Sequence, residues 1–171
     1  MVKNKSHSLT AEIVVPDGGA SGVIVAQGGA LGGFSLYAHE GKPAYCYNMF
    51  GVQRFKVYGQ EPMSAGEHQV RMEFTYDGGG LGKGGSVELF LDGDKVGEGR
   101  VEGTVPMVFS ADETTDVGTD GGTPVSDDLG PKETDFNGRI SWVQIDIDEA
   151  AEDLDHLISA HERYRIAMAR Q

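Results

Sequence analysis

Apolar and polar side chains alternate along much of this chain with a period of two. Val70, Met72, Phe74 and Tyr76 interleave with Gln69, Arg71, Glu73 and Thr75, and Val87, Leu89 and Leu91 interleave with Glu88 and Asp92. A two-residue repeat sends alternate side chains to opposite faces, the mark of a strand buried on one side. The same reading predicts strands over 9–15, 22–27, 33–39, 43–50, 52–58, 95–101 and 139–148. Turn-forming residues separate them: Asp17-Gly18-Gly19, Gly28-Gly29, Glu40-Gly41-Lys42-Pro43 and Asp92-Gly93-Asp94. Strands this close together, with no helical crossovers between them, pair as antiparallel hairpins. The expected body, over 1–148, is an all-β sandwich of two antiparallel sheets.

The tail breaks the pattern. Residues 149–158 read as an acidic connector, and Ser159-Ala160-His161-Glu162 reads as a capping box opening a short helix over 159–171. Tyr164, Ala167 and Met168 share one face of that helix. Three turns alone are marginal in water, so the helix is expected to dock on something.

Composition narrows the chemistry. Glycine, at 26 of 171 residues, is about twice its usual share, which fits many tight turns. The net charge of −13 argues against a nucleic-acid partner. The acidity is concentrated: between Ser110 and Asp155 there are 14 Asp or Glu against Lys132 and Arg139. Cys46 is the sole cysteine, which excludes an internal disulfide and a Cys-rich zinc site. MVKNKSHSLTAE has no apolar signal-peptide run, and no stretch is long enough to span a bilayer, so a soluble chain with no membrane partner is expected.

The run YDGGGLGKGGSV (76–87) resembles a phosphate-binding loop, but its details do not. Lys83 is followed by Gly84 where a Walker loop needs Ser or Thr. Gly80, Gly82 and Gly85 satisfy G-x-G-x-x-G, yet the residues after them alternate as a strand and open no helix. A glycine hairpin or docking loop is the better reading. Cys46, in Tyr45-Cys46-Tyr47, reads as a buried thiol with nothing nearby in sequence to activate it. Trp142 and Tyr47 are candidates for stacking on a sugar, against the alternative of core packing. Asp112, Asp116 and Asp120 offer hard oxygen ligands suited to calcium, although their spacing is not that of an EF-hand. The alternative is a solvated acidic loop.

Several long blocks carry a family resemblance: GVIVAQGGALGGFSLYAHEGKPAYCYN, YDGGGLGKGGSVELFLDG, VPMVFSADETTDVGTDGGTPVS and FNGRISWVQIDI. Together with the ending HLISAHERYRIAMARQ, they resemble the C-terminal region of large bacterial arylsulfatases. The resemblance implies a jelly-roll sandwich of the concanavalin A or laminin G type, attached to an alkaline-phosphatase-like catalytic domain. It also implies that the tail helix packs against that domain. On this reading the chain is a piece of a longer protein or one half of a split gene, and its compartment is the bacterial cytoplasm or periplasm.

Sulfatases of this kind use a formylglycine made in Cys-x-Pro-Ser-Arg or Cys-x-Ala-x-Arg, with a divalent metal. Here Cys46 precedes Tyr47, Asn48, Met49 and Phe50, with no arginine in reach of the motif. No catalytic residue carries over, and this chain is not expected to hydrolyse sulfate esters or to need a cofactor of its own. Two roles remain. One is a module that docks on and supports the sulfatase catalytic domain, in cis or as a separate chain, through Gly80, Leu81, Gly82 and Lys83 and through Tyr164 and Met168. The other is a lectin-like module for a carbohydrate or sulfated substrate, against which the acidic segment stands.

Overall fold

The computed structural model describes residues 2–107, 109, 114–147, 158, 159, 161, 165 and 168. Ten strands run through the described residues: β1 (His7–Val15), β2 (Gly22–Gly29), β3 (Gly32–His39), β4 (Lys42–Met49), β5 (Gln53–Tyr58), β6 (Gly66–Tyr76), β7 (Gly85–Leu91), β8 (Asp94–Val101), β9 (Thr115–Val117) and β10 (Arg139–Ile147). They form two five-stranded sheets. The first has the order β10-β1-β6-β7-β8 and the second β5-β4-β3-β2-β9, with every pairing antiparallel. Every strand expected from the alternation is present. β9 was not expected: three residues inside an acidic run carry no alternation to read.

The core lies between the sheets. From the first come Leu9, Ala11, Ile13, Val70, Met72, Phe74, Val87 and Leu89; from the second, Ile24, Phe34, Leu36, Tyr45, Phe55 and Val57. These are the apolar halves of the alternating strands, as burial on one face requires.

Both outer faces are partly covered as well. On the first sheet Ser8, Thr10, Arg71 and Phe90 are buried although they point away from the core. Arg71 donates through Nε to Glu73 Oε1 at 2.8 Å and through a terminal nitrogen to Thr10 Oγ1 at 2.9 Å. Ile158 is pinned to this face. Its amide donates to Gln69 Oε1 at 2.8 Å, and its carbonyl accepts from Gln69 Nε2 at 3.1 Å. Of the expected tail helix, His161, Arg165 and Met168 are helical and exposed, while Tyr164 lies outside the described residues.

On the second sheet the outer face carries a strap, residues 119–136. Val125 packs there with Val23, Ala26, Tyr37, Ala44 and Cys46 in a second small core. Asn48 Nδ2 and Arg54 Nε both donate to the Val125 carbonyl, at 3.2 and 3.0 Å.

Along one flank the two sheets come close together. Gln60 N donates to Val96 O at 3.0 Å, and a methyl group at Gly97 would stand 2.5 Å from the Tyr58 carbonyl oxygen. Only glycine lets β8 lie this near β5.

Candidate functional site

The glycine-rich run forms a pinned loop between β6 and β7. Gly78, Gly79, Gly80 and Gly82 have φ of 72°, 75°, 127° and 69°, which side-chain-bearing residues rarely adopt. Tyr76 holds the loop from inside: its hydroxyl donates to Gly80 O at 2.6 Å and accepts from Lys83 N at 2.9 Å. Asn4 Oδ1 accepts from Gly82 N at 2.8 Å, and Thr104 Oγ1 donates to Lys83 O at 2.7 Å. The amides of Gly82 and Lys83 are engaged with the protein's own groups, and the loop leads into a strand and opens no helix, so it lacks the geometry of a phosphate cradle.

Three other segments adjoin this loop. Gly82 lies against Thr104 and Pro106, Gly103 against Met49 Sδ, and Gly51 against Ala30 and Leu31. The β2–β3 turn, the β4–β5 turn, the β6–β7 loop and residues 102–107 therefore form one end of the sandwich. That end is apolar: Leu31 is 69% exposed, Phe50 52%, Val52 86%, Leu81 70% and Met107 76%. Phe50 is displayed at the cost of backbone strain. It has φ 57° in the three-residue turn between β4 and β5, a conformation more usual for Asn or Asp.

Within the strap, Asp128 is a hub. It accepts from the Tyr37 hydroxyl, from the Tyr58 hydroxyl at 2.7 Å and from Lys56 Nζ at 2.6 Å. Burial opposes its charge, yet these hydrogen bonds hold its carboxyl below the usual carboxylate range. Lys56 also pairs with Asp127 at 2.5 Å. Arg54 and Lys56, on this face, are both engaged by the strap, which leaves neither of the two for a sulfate. At the margin, Tyr58 stays partly exposed, with its ring 6.0 Å from that of His39. Cys46 is fully buried beside Ser126, and burial pushes its thiol up to about 12. Such a thiol is inert.

The stacking candidates fare differently. Tyr47 has no ring face for a ligand. It is 3% exposed, packs edge-on to Phe109 and accepts from Val105 N at 2.9 Å. It sits at an inward position of β4, and alternation alone does not say which parity points inward. Trp142 is half-buried on β10, opposite Glu12.

Of the calcium candidates, Asp112 lies outside the described residues. Asp116 is on β9, and its Oδ2 accepts from Gly121 N at 3.0 Å. Asp120 Oδ2 accepts from Val125 N at 2.8 Å, while its Oδ1 is buried with no hydrogen-bond partner. Among the described residues, no three His, Cys, Asp or Glu side chains converge as a metal-ligand set.

One constellation was not legible in the sequence. Ser64 Oγ lies 3.1 Å from His68 Nε2, and His68 Nδ1 lies 2.6 Å from Asp92 Oδ2. Chemically this is the order nucleophile, base, acid. However, Nε2 is nearer to the Ser64 carbonyl, at 2.8 Å, and a nitrogen that donates to this acceptor has no lone pair for the hydroxyl. Asp92 Oδ1 is meanwhile bound to Gln69 N at 2.7 Å. The three side chains clamp the 64–68 turn to the β7–β8 turn. Asp92 and its hairpin glycine are a signal for a turn, and nothing in the spacing pairs them with Ser64.

No protein-family profile matches the chain, and no curated protein does. Solved structures do match. The CBM40 module of the Ruminococcus gnavus IT-sialidase, bound to α2,3-sialyllactose, superposes with TM-score 0.57 at 13% identity, over 91% of this chain and 81% of that one. Mouse laminin α1 domains LG4-5 give TM-score 0.57 at 17% identity, over 94% of this chain and 40% of theirs. The LG1-3 region of laminin α2 gives 0.55 at 12%, over 90% and 28%. The fold is a laminin G-type jelly roll. At these identities the likeness concerns the fold, and the chain spans less than half of either laminin structure.

Proposed function

We propose that this chain is a non-catalytic module that docks on the catalytic domain of an arylsulfatase. The observation that carries this reading is the apolar end of the sandwich: five large apolar side chains on adjoining turns, one displayed against its backbone preference and another on a loop pinned by Tyr76 and Asn4. Exposed apolar clusters of this kind are what protein interfaces bury. The occupant is suggested by the sequence blocks that resemble arylsulfatase C-terminal regions, three of which run through this end. The buried, inert Cys46 supports a role without chemistry.

The test is a binding measurement. A sulfatase catalytic domain bearing the formylglycine motif, encoded beside this chain, is expected to form a complex with it by size exclusion and calorimetry. Leu31→Ser, Val52→Ser and Leu81→Ser combined should weaken that complex about 100-fold or more, since each exposed side chain contributes ~1.5 kcal/mol on burial. The same changes should leave the module's own stability nearly unchanged. Tight binding by the triple variant would defeat the reading.

A second reading, a carbohydrate-binding module, has one observation in its favour. The partly exposed Tyr58 and the half-buried His39 form a small aromatic patch, with the Tyr58 hydroxyl on the Asp128 carboxylate. On a glycan array this patch predicts binding that Tyr58→Ala abolishes. A silent array removes it.

A further inference from the structure

We infer that Asp116 and Asp120 together hold a hard divalent cation, calcium by ligand type, that ties β9 to the strap over the second sheet. The site stands independently of the docking surface, which lies at the end of the sandwich.

Two observations carry it. The first is a buried carboxylate oxygen with nothing to bind. Asp120 is 3% exposed, and only Oδ2 is engaged, by Val125 N. Oδ1 has no hydrogen-bond partner. A buried oxygen of a charged group left in that state costs several kcal/mol unless something supplies positive charge. The second is where the neighbouring carboxylate lies. Asp116 pairs with Ala26 of β2, and Ala26 belongs to the small core under the strap with Val125. The Asp116 side chain therefore projects onto the face where Asp120 is held. Its Oδ2 comes within 3.3 Å of where a methyl on Gly121 would stand. Two carboxylates on one turn repel each other. Among the described residues, no Lys or Arg makes an ion pair with either. A cation is the missing partner.

The donor set selects the ion. Carboxylate oxygens, with carbonyls and water available in an irregular loop, suit calcium, which accepts six to eight oxygens in flexible geometry. Nitrogen and sulfur donors are absent from the pair, which disfavours zinc. With two carboxylates only, the affinity belongs to the weak class, about 0.1–1 mM.

Calcium chloride titrated into chelator-washed protein is expected to give saturable heat and a higher melting temperature. Asp120→Asn keeps an acceptor for Val125 N, and it should weaken binding about tenfold or more. Asp116→Asn, at a half-exposed position where folding is not at risk, should do the same. Calcium should also slow amide exchange across 119–128 in the wild type and not in the two variants. Absence of heat and of a melting shift in the wild type overturns the site. So does a shift that sodium chloride reproduces at equal ionic strength, or one that both variants retain, because screening or ordered water then accounts for the buried oxygen.

Discussion

Asn48→Asp is expected to lower the folding free energy by about 3–5 kcal/mol, the range seen when a buried charge is left without its partner. Asn48 is fully buried, and its side-chain amide ties together three backbone segments, the β2–β3 turn, the β4–β5 turn and the strap. Nδ2 donates towards three carbonyl oxygens, those of Gly29 at 3.1 Å, Ala30 at 3.0 Å and Val125 at 3.2 Å. Oδ1 accepts from Gly51 N at 2.9 Å. Aspartate is the same size but replaces a donor of two protons with an acceptor facing three acceptors. It must either take up a proton or break the arrangement. Asn48→Ala strands the same groups without adding charge, and should cost about 2–4 kcal/mol. Urea unfolding monitored by fluorescence measures both, with aspartate the worse at neutral pH and the gap narrowing in acid. A loss below about 1 kcal/mol for either variant would mean that the turns and the strap do not rely on this residue.

Acid should weaken the fold well before the carboxylates titrate. His7 lies between the sheets, with its ring 5.1 Å from Phe74 and 6.0 Å from Phe34. Burial lowers its pKa from 6.5 to about 4, against a smaller raising effect of the Lys5 carbonyl beside Nδ1. The neutral ring thus donates from Nδ1 to Lys5 O, while Nε2 has no partner. Because the folded-state pKa is depressed, the unfolded chain takes up the proton first. Stability is full above pH ~6.5, declines as pH falls to ~4, and then changes no further on this group's account. The difference corresponds to about 3 kcal/mol. His7→Leu should flatten the curve across that window. The carboxyls of Asp77, Asp127 and Asp128, held below their usual range, withdraw stability only at lower pH. Asp120, shifted the other way, opposes them. Melting temperatures from pH 7.5 to 3 for wild type and His7→Leu separate the two windows. Parallel curves would show that His7 stays neutral for some other reason, or is charged and satisfied.

The sandwich was legible because its strands alternate. Burial on one face forces a period of two into the sequence, and glycine-containing turns mark where each run ends. What alternation does not encode is which outer face gets covered. Ser8, Thr10 and Arg71 read as solvent-facing, yet they are buried, on the same face where Gln69 holds Ile158 from far along the chain. The strap was equally hidden. Val125 and Asp128 sit in a run of Asp, Gly, Thr and Ser that resembles a solvated loop, and only the fold shows it lying on Tyr37, Lys56 and Tyr58. Asp116 and Asp120 were singled out by residue type as calcium candidates, whereas the partnerless buried oxygen of Asp120 is a fact of burial that no spacing encodes. The apolar end was foreseen at Leu81 alone. Leu31, Phe50, Val52 and Met107 come from three other turns, and no local window places them together.

The close approach of β8 to β5 at Gly97 has a consequence for how this protein fails. A sheet normally ends in a row of unpaired amides and carbonyls that can recruit another chain. Here two such rims are folded against each other along one flank, and the opposite rim of the second sheet ends in a strand of three residues. Of the four rims, β10 at the edge of the first sheet, nine residues long, is the one long template left among the described residues, so ribbon-like pairing between copies is confined to that edge.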